Sequence, residues 1–197
     1  MSEIRFADGG DVPSMLLKAT FQLRPLRTTD VELDFEAVMA SRAMLRRWSD
    51  SSWPADDFTL DGNLADLAFH QREHEAGEAY TYTVMNLAGD RCLGCVYINP
   101  LAPELIRAGG CQAADREVRA ASVRFWVRSD HAGSDLEQEL FDALQAWFTR
   151  EWPLDCVLYV TGAQEQRQQD FFAANGLQPL ASYRADGHVR LPFRSPA

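Results

Sequence analysis

Between residues 121 and 160 an apolar strand, a long helix and a second buried strand follow one another, and that succession most constrains the fold. Ala121 to Arg128 (ASVRFWVR) is dense in aromatic and β-branched residues. Leu136, Leu140, Leu144, Trp147 and Phe148 then stack on one side of a helix that ends near Glu151, ahead of Pro153. Cys156 to Val160 reads as a buried strand. Two strands joined through a helix form a parallel pair, and that crossover is right-handed.

The rest of the chain adds antiparallel structure. Ala79 to Met85 alternates, Leu87-Ala88-Gly89-Asp90 turns, and Cys92 to Ile98 returns, which makes a hairpin closed by Asn99-Pro100. Phe21 to Leu26 is a strand near an edge, because Pro25 cannot donate to a ladder. Thr28 or Thr29 caps a helix from Val31 to Ser41, and Met44, Leu45 and Trp48 belong to a shorter one. Thr59 caps a third helix reaching Ala76, with Leu60, Leu64 and Leu67 on its apolar side and Gly77 at its end. Residues 100–119 form a long excursion. Gln164 to Ala174 is a helix stopped by Asn175-Gly176, and Leu180–Arg184 with His188–Leu191 makes a last hairpin. Residues 1–20, broken by Gly9-Gly10 and Pro13, read as a poorly ordered leader, and 21–197 as one domain.

Charge and cysteines remove several classes of function. Nineteen Lys and Arg against 29 Asp and Glu give a net charge of −10, so no basic stripe for nucleic acid is expected. No apolar run reaches the length of a membrane span, and the N-terminus lacks the pattern of a secretory signal, which points to the cytoplasm. Cys92 and Cys95 match C-x-x-C but lie inside a strand, where residues three apart point to opposite faces. No second pair completes a zinc site, so no metal is expected.

The chemistry centres on the turn from Val127 to Leu144. A strand that feeds a helix N-terminus through a short loop presents unpaired N–H groups and a positive dipole end, which together attract an anion. The Phe21–Leu26 strand, the stretch Phe125-Trp126-Val127-Arg128-Ser129-Asp130-His131-Ala132-Gly133 and the ending Asn175-Gly176-Leu177 resemble the GNAT superfamily of N-acetyltransferases. Within it the chain is similar to the ribosomal-protein and antibiotic N-acetyltransferases, over nearly all of residues 20–184. The resemblance implies an α/β (α+β) fold with a mixed, mostly antiparallel sheet of six or seven strands flanked by helices. It implies transfer of an acetyl group from acetyl-CoA to a small-molecule or peptide amine. Phe125, Trp126, Val127 and Arg128 would lie along the pantetheine arm. Ala132, Gly133, Ser134, Asp135, Leu136 and Glu137 would surround the pyrophosphate.

Several positions depart from the family pattern. The loop signature Q/R-x-x-G-x-G/A falls on Ala132-Gly133-Ser134-Asp135-Leu136-Glu137, which keeps Gly133 but sets two carboxylates where the pyrophosphate docks. The same residues read as S-x-x-E, a capping box in which Ser134 and Glu137 satisfy the helix end themselves. Phe172 stands where many members carry a proton-donating Tyr, Glu165 near a frequent Asn, and Ser122 where a carboxylate is sometimes found. Two readings therefore stand: an acetyl-CoA-dependent enzyme working mainly by positioning, or a binding, regulatory or dimer-forming module on the same scaffold.

On the acceptor side, acids crowd residues 50–78, with Arg72 the only Lys or Arg among them, and would attract an amine. His70 and His74 share a helix face with Asp66 and are candidates for taking a proton. Trp48, Trp53, Tyr82 and Tyr97 are candidates for a pocket lining, while Trp126 and Trp147 also read as core.

Overall fold

Alternating apolar residues build one twisted sheet, and helices close over both of its faces. The computed structural model describes residues 4–6, 12–107, 111, 118–185 and 187–195. In chain order these hold β1 (Ile4–Arg5), β2 (Leu16–Leu17), β3 (Phe21–Pro25), α1 (Val31–Ala40), α2 (Arg42–Ser49) and α3 (Leu60–Ala76). There follow β4 (Tyr80–Asn86), β5 (Cys92–Pro100), α4 (Pro103–Arg107), β6 (Val118–Val127) and α5 (Asp135–Arg150). The chain ends with β7 (Cys156–Gly162), α6 (Gln166–Ala174), β8 (Gln178–Pro179), β9 (Tyr183–Ala185) and β10 (His188–Arg194).

The strands run in the order β2-β3-β4-β5-β6-β7-β10-β8, with β1 beside β6 and β9 beside β10. The expected mixed, mostly antiparallel sheet is present, and two- and three-residue strands extend it beyond the expected six or seven. β6 and β7 are parallel around α5, as the crossover requires. Their pairing runs from Ala120 opposite Cys156 to Val123 opposite Tyr159. β6 continues to Val127 beyond the last of these pairs. The described part of the leader is joined to the sheet: β1 pairs with β6, β2 pairs with β3, and Tyr82 donates to the carbonyl of Pro13 at 2.6 Å. Residues 1–3 and 7–11 of the leader, 108–110 and 112–117 of the excursion, and Asp186 of the last turn lie outside the described residues. Among the described residues no helix is long and apolar enough to cross a membrane.

The two faces of the sheet bury different kinds of residue. Against α5 and α6 lie Leu23, Tyr82, Val96, Val123 and Phe125, packed on Phe141, Leu144, Trp147 and Phe172. Against α1, α2 and α3 lie Met85, Cys92, Cys95 and Trp126, packed on Val38, Leu45, Trp48 and Leu67. α3 begins as its sequence dictates, with Thr59 Oγ1 accepting from the N–H of Gly62 and Gly77 closing the helix in a left-handed conformation. Its inward side matches the expected one only at Leu67. Leu60 and Leu64 are exposed, whereas Asn63 and Leu67 are buried, because this helix turns a partly polar side toward a cavity.

A β-bulge corrects the sequence reading of the C-x-x-C segment. Val84 pairs with Gly94 and Met85 with Cys92, so Leu93 is an extra residue on β5. The insertion inverts the alternation. Leu93 enters the α5 side, and Cys92 and Cys95 both face α1 rather than opposite sides. Only glycine fits the middle of this segment, since a Cβ on Gly94 would stand 2.1 Å from the carbonyl oxygen of Trp126. The other two cysteines, Cys111 and Cys156, form a disulfide that the sequence did not signal.

Gly94→Ala is expected to lower stability by about 3 kcal/mol, as overpacking against backbone does. For a chain of this length that is a loss of roughly 6–12 °C in Tm, read by thermal or urea denaturation.

Candidate functional site

A cavity of about 500 Å³ opens on the α1–α3 side of the sheet, of a size suited to a small molecule. Trp48 at the end of α2, Trp53 just after it and Tyr97 on β5 all line it, as three of the four proposed aromatics. The fourth, Tyr82, is buried in the α5-side core, because its position in β4 turns it to the opposite face. Asn63, Asp66 and His70 come from α3, Asp34 from α1, and Ser122 and Arg124 from β6. Trp53 Nε1 donates to Asp66 at 3.2 Å, and Trp126 Nε1 donates to the Tyr97 hydroxyl at 3.4 Å.

The two candidate histidines part company. His70 lines the cavity, lies 3.2 Å from Glu73 and meets the ring of Tyr97 edge-on. His74 faces the rim of β4 instead. The backbone N–H of Thr81 donates to its Nδ1, and its ring packs on Tyr80 and Tyr82. Burial pushes the His74 pKa down, which keeps it neutral.

Asp34 is the buried acid of this site, and neither its place in α1 nor its neighbours marked it in the sequence. It accepts from Asn63 Nδ2 at 2.9 Å and from the Cys95 thiol at 3.6 Å, with the Cys92 thiol at 4.0 Å. The three possible ligand atoms of Asp34, Cys92 and Cys95 lie within 4.8 Å of one another, a juxtaposition the expected strand alternation excluded and the bulge creates. A hydrogen bond with Cys92 together with burial pushes the Cys95 thiol well up, so it stays protonated. Burial likewise raises the Asp34 carboxyl above its ordinary value, with Asn63 and Cys95 pulling the other way.

The proposed donor residues lie elsewhere. None of Phe125, Trp126, Val127, Arg128 or residues 132–137 lines this cavity. Arg128 bonds to Glu36 and to Asp130, and Ser129 is tied to α1 through Ser41 Oγ and the carbonyl of Ala40. The capping box does not form. Ser134 Oγ donates to the carbonyl of His131, and Ser134 makes no side-chain cap. The Glu137 carboxylate, wholly buried, accepts instead from the Gly133 N–H at 2.6 Å. Arg167 of α6 holds its two oxygens at 2.6 and 3.0 Å. Where β6 runs on beyond its pairs with β7, the buried Gln168 side chain donates to the carbonyl of Phe125 at 3.0 Å. Phe172 packs on Phe125, Phe141, Tyr159 and Phe193.

Comparison with solved structures settles the architecture. RimL, a ribosomal L7/L12 α-N-protein acetyltransferase solved in complex with coenzyme A, superposes with a TM-score of 0.66 at 15% identity, over 93% of this chain and 96% of that one. The chain has a GNAT acetyltransferase fold. An acetyltransferase from Salmonella typhimurium that modifies the N-terminal serine of ribosomal protein L7/L12 gives 0.68 at 15% identity, over 93% and 99% of the two chains. The microcin C7 self-immunity acetyltransferase MccE, solved with acetyl-CoA and AMP, gives 0.70 at 9% identity, over 96% and 100%. No protein-family model and no curated protein matches the sequence. Within this GNAT scaffold the sequence missed Asp34, Asn63 and Arg124 as cavity residues. A signal existed for the last: Ser122 and Arg124, two apart and so on one face, are the polar residues in the otherwise apolar run from Ala120 to Val127.

An acid whose pKa rises on folding binds its proton more tightly in the native state, so stability falls as pH climbs from its ordinary value near 3.8 through the raised one. Asp34→Asn is expected to remove that decline. Its urea midpoint should gain on the parent between acid and neutral pH and hold that gain above.

Proposed function

We propose that this chain is a GNAT-fold binding module that no longer takes acetyl-CoA in the usual way and that holds a small amine-bearing molecule in the cavity beneath α3. One observation carries the reading: the Glu137 carboxylate occupies the amide of Gly133 in the loop where a pyrophosphate would sit. Arg167 neutralises that carboxylate, so the loop's positive end already has its anion. Two further contacts agree. Gln168 takes the Phe125 carbonyl on the strand expected to run beside the pantetheine arm, and Phe172 offers no proton for a leaving thiolate. On these grounds the residues do not fit acetyl-CoA, and no transfer step is assigned.

The amine side rests on Asp66 in the cavity wall and on the acids that surround it in sequence. The aromatic lining of Trp48, Trp53 and Tyr97 suits a cation as well as an apolar body. The competing reading is acetyl transfer from acetyl-CoA to a primary amine. It is favoured by the likeness to acetyltransferases over nearly the whole chain, and it requires the Glu137 carboxylate to leave the loop.

Thermal unfolding with acetyl-CoA separates the two. A donor at about a hundred times its Kd adds about 2.7 kcal/mol, or roughly 5–11 °C here. The expected shift is below about 1 °C. A full shift overturns the proposal in favour of acetyl transfer.

A further inference from the structure

Arg124 raises a question that neither reading of the donor loop answers. It sits on β6 opposite Tyr97, and it lines the cavity. Its Nη2 donates to the carbonyl of Trp48 at 2.8 Å, and its guanidinium lies 3.9 Å from the centre of the Trp48 ring. A carbonyl and a ring face are partial partners for a full positive charge. Among the described residues no carboxylate lies within ion-pairing distance of this half-buried guanidinium, and its buried Nε has no hydrogen-bond partner. The two acids of the cavity wall are engaged elsewhere: Asp34 by Asn63 and the thiols, and Asp66 by Trp53. Burial, reinforced by Arg190, pushes Arg124 down to about 9, and it still carries its charge at neutral pH. The protein therefore holds an under-compensated cation against an open cavity.

Resting on the amine-binding reading above, we propose that the cavity ligand also carries a carboxylate, that Arg124 binds it, and that the ligand is a small zwitterion of the amino-acid type. The two ends of such a molecule match the two polar parts of the lining. Its carboxylate meets the guanidinium, and its ammonium meets Asp66, whose Oδ2 accepts only from Trp53 among the described residues. A carboxylate matches a guanidinium that has no acid partner, by a charge-assisted and often bidentate pair. The side chain of the ligand would rest among Trp48, Trp53 and Tyr97. The cavity of about 500 Å³ holds a molecule of this size with room for water.

Isothermal titration of the full chain with matched probes tests this. The probes are a set of common L-amino acids, their primary amides, which lack the carboxylate, and their desamino acids, which lack the ammonium. For the amino acid that binds best, the amide and the desamino acid are each expected to bind at least about tenfold more weakly. Arg124→Met should erase the preference for acid over amide. Asp66→Asn should erase the preference for amino acid over desamino acid. Arg124→Lys, which keeps the charge, should retain part of the first preference and guards against misfolding of the methionine variant. Equal binding of acid and amide by the parent chain overturns the role of Arg124 while leaving the amine reading intact. Equal binding of amino acid and desamino acid overturns the amine reading alone. Absence of binding by every carboxylate, or an Arg124→Met variant that weakens acid and amide alike, overturns the proposal and leaves Arg124 as a support for α2.

Discussion

Two parallel strands stop pairing before either of them ends, and the contacts of α6 are built on that gap. β6 runs on past Val123, its last pair with β7, and backbone groups left without a ladder must find other partners or water. The resemblance read in the sequence implies that a coenzyme's pantetheine arm would lie along the strand at this gap. Here α6 fills it from within. Gln168 reaches the Phe125 carbonyl, Phe172 fills the apolar space, and Arg167 reaches back to Glu137 at the start of α5. A single helix therefore supplies a partner both to the free carbonyl of β6 and to the buried acid at the start of α5.

On the other side of the sheet the decisive feature is one inserted residue. The bulge at Leu93 reverses which side chains of β5 face α1, and it gathers Cys92, Cys95 and Asp34 into one buried group beneath the cavity. Burying a carboxyl beside two thiols and an amide costs stability that an apolar residue would not. Asp34 persists in a face otherwise built from Leu26, Val38, Leu45 and Leu67. The α5 side of the sheet is packed instead with aromatic rings that meet edge-on or tilted, and its buried carboxylate, Glu137, is paired with Arg167.

How much of this the sequence disclosed follows from the range of each interaction. The crossover, the central hairpin, the Thr59 cap and the Gly77 stop were all legible, because periodicity and capping are local. Trp48, Trp53 and Tyr97 line one cavity and Tyr82 does not, since which face a strand residue takes depends on register. The bulge hid the shared orientation of the two cysteines: strand alternation has no means of showing a skipped position. The S-x-x-E motif was read as a local cap, but Glu137 found a stronger partner in Arg167, 30 residues away in sequence. Leu60 and Leu64 misled in the same manner, because the inward side of α3 was chosen by the polar cavity rather than by hydrophobicity.

The last turn of α2 is moored at its carbonyl end. The carbonyls of Trp48, Ser49 and Asp50 are held by Arg124, Arg190 and His188, and the N–H of Val189 fixes the left-handed Asp50 through its side chain. Gly162 lets β7 press against the same turn, where any side chain would strike the Arg47 and Trp48 carbonyls. One wall of the cavity is thus set when the chain folds rather than when a guest arrives. Its ordering entropy is spent in advance, and discrimination at that wall comes from preformed shape and charge instead of closure.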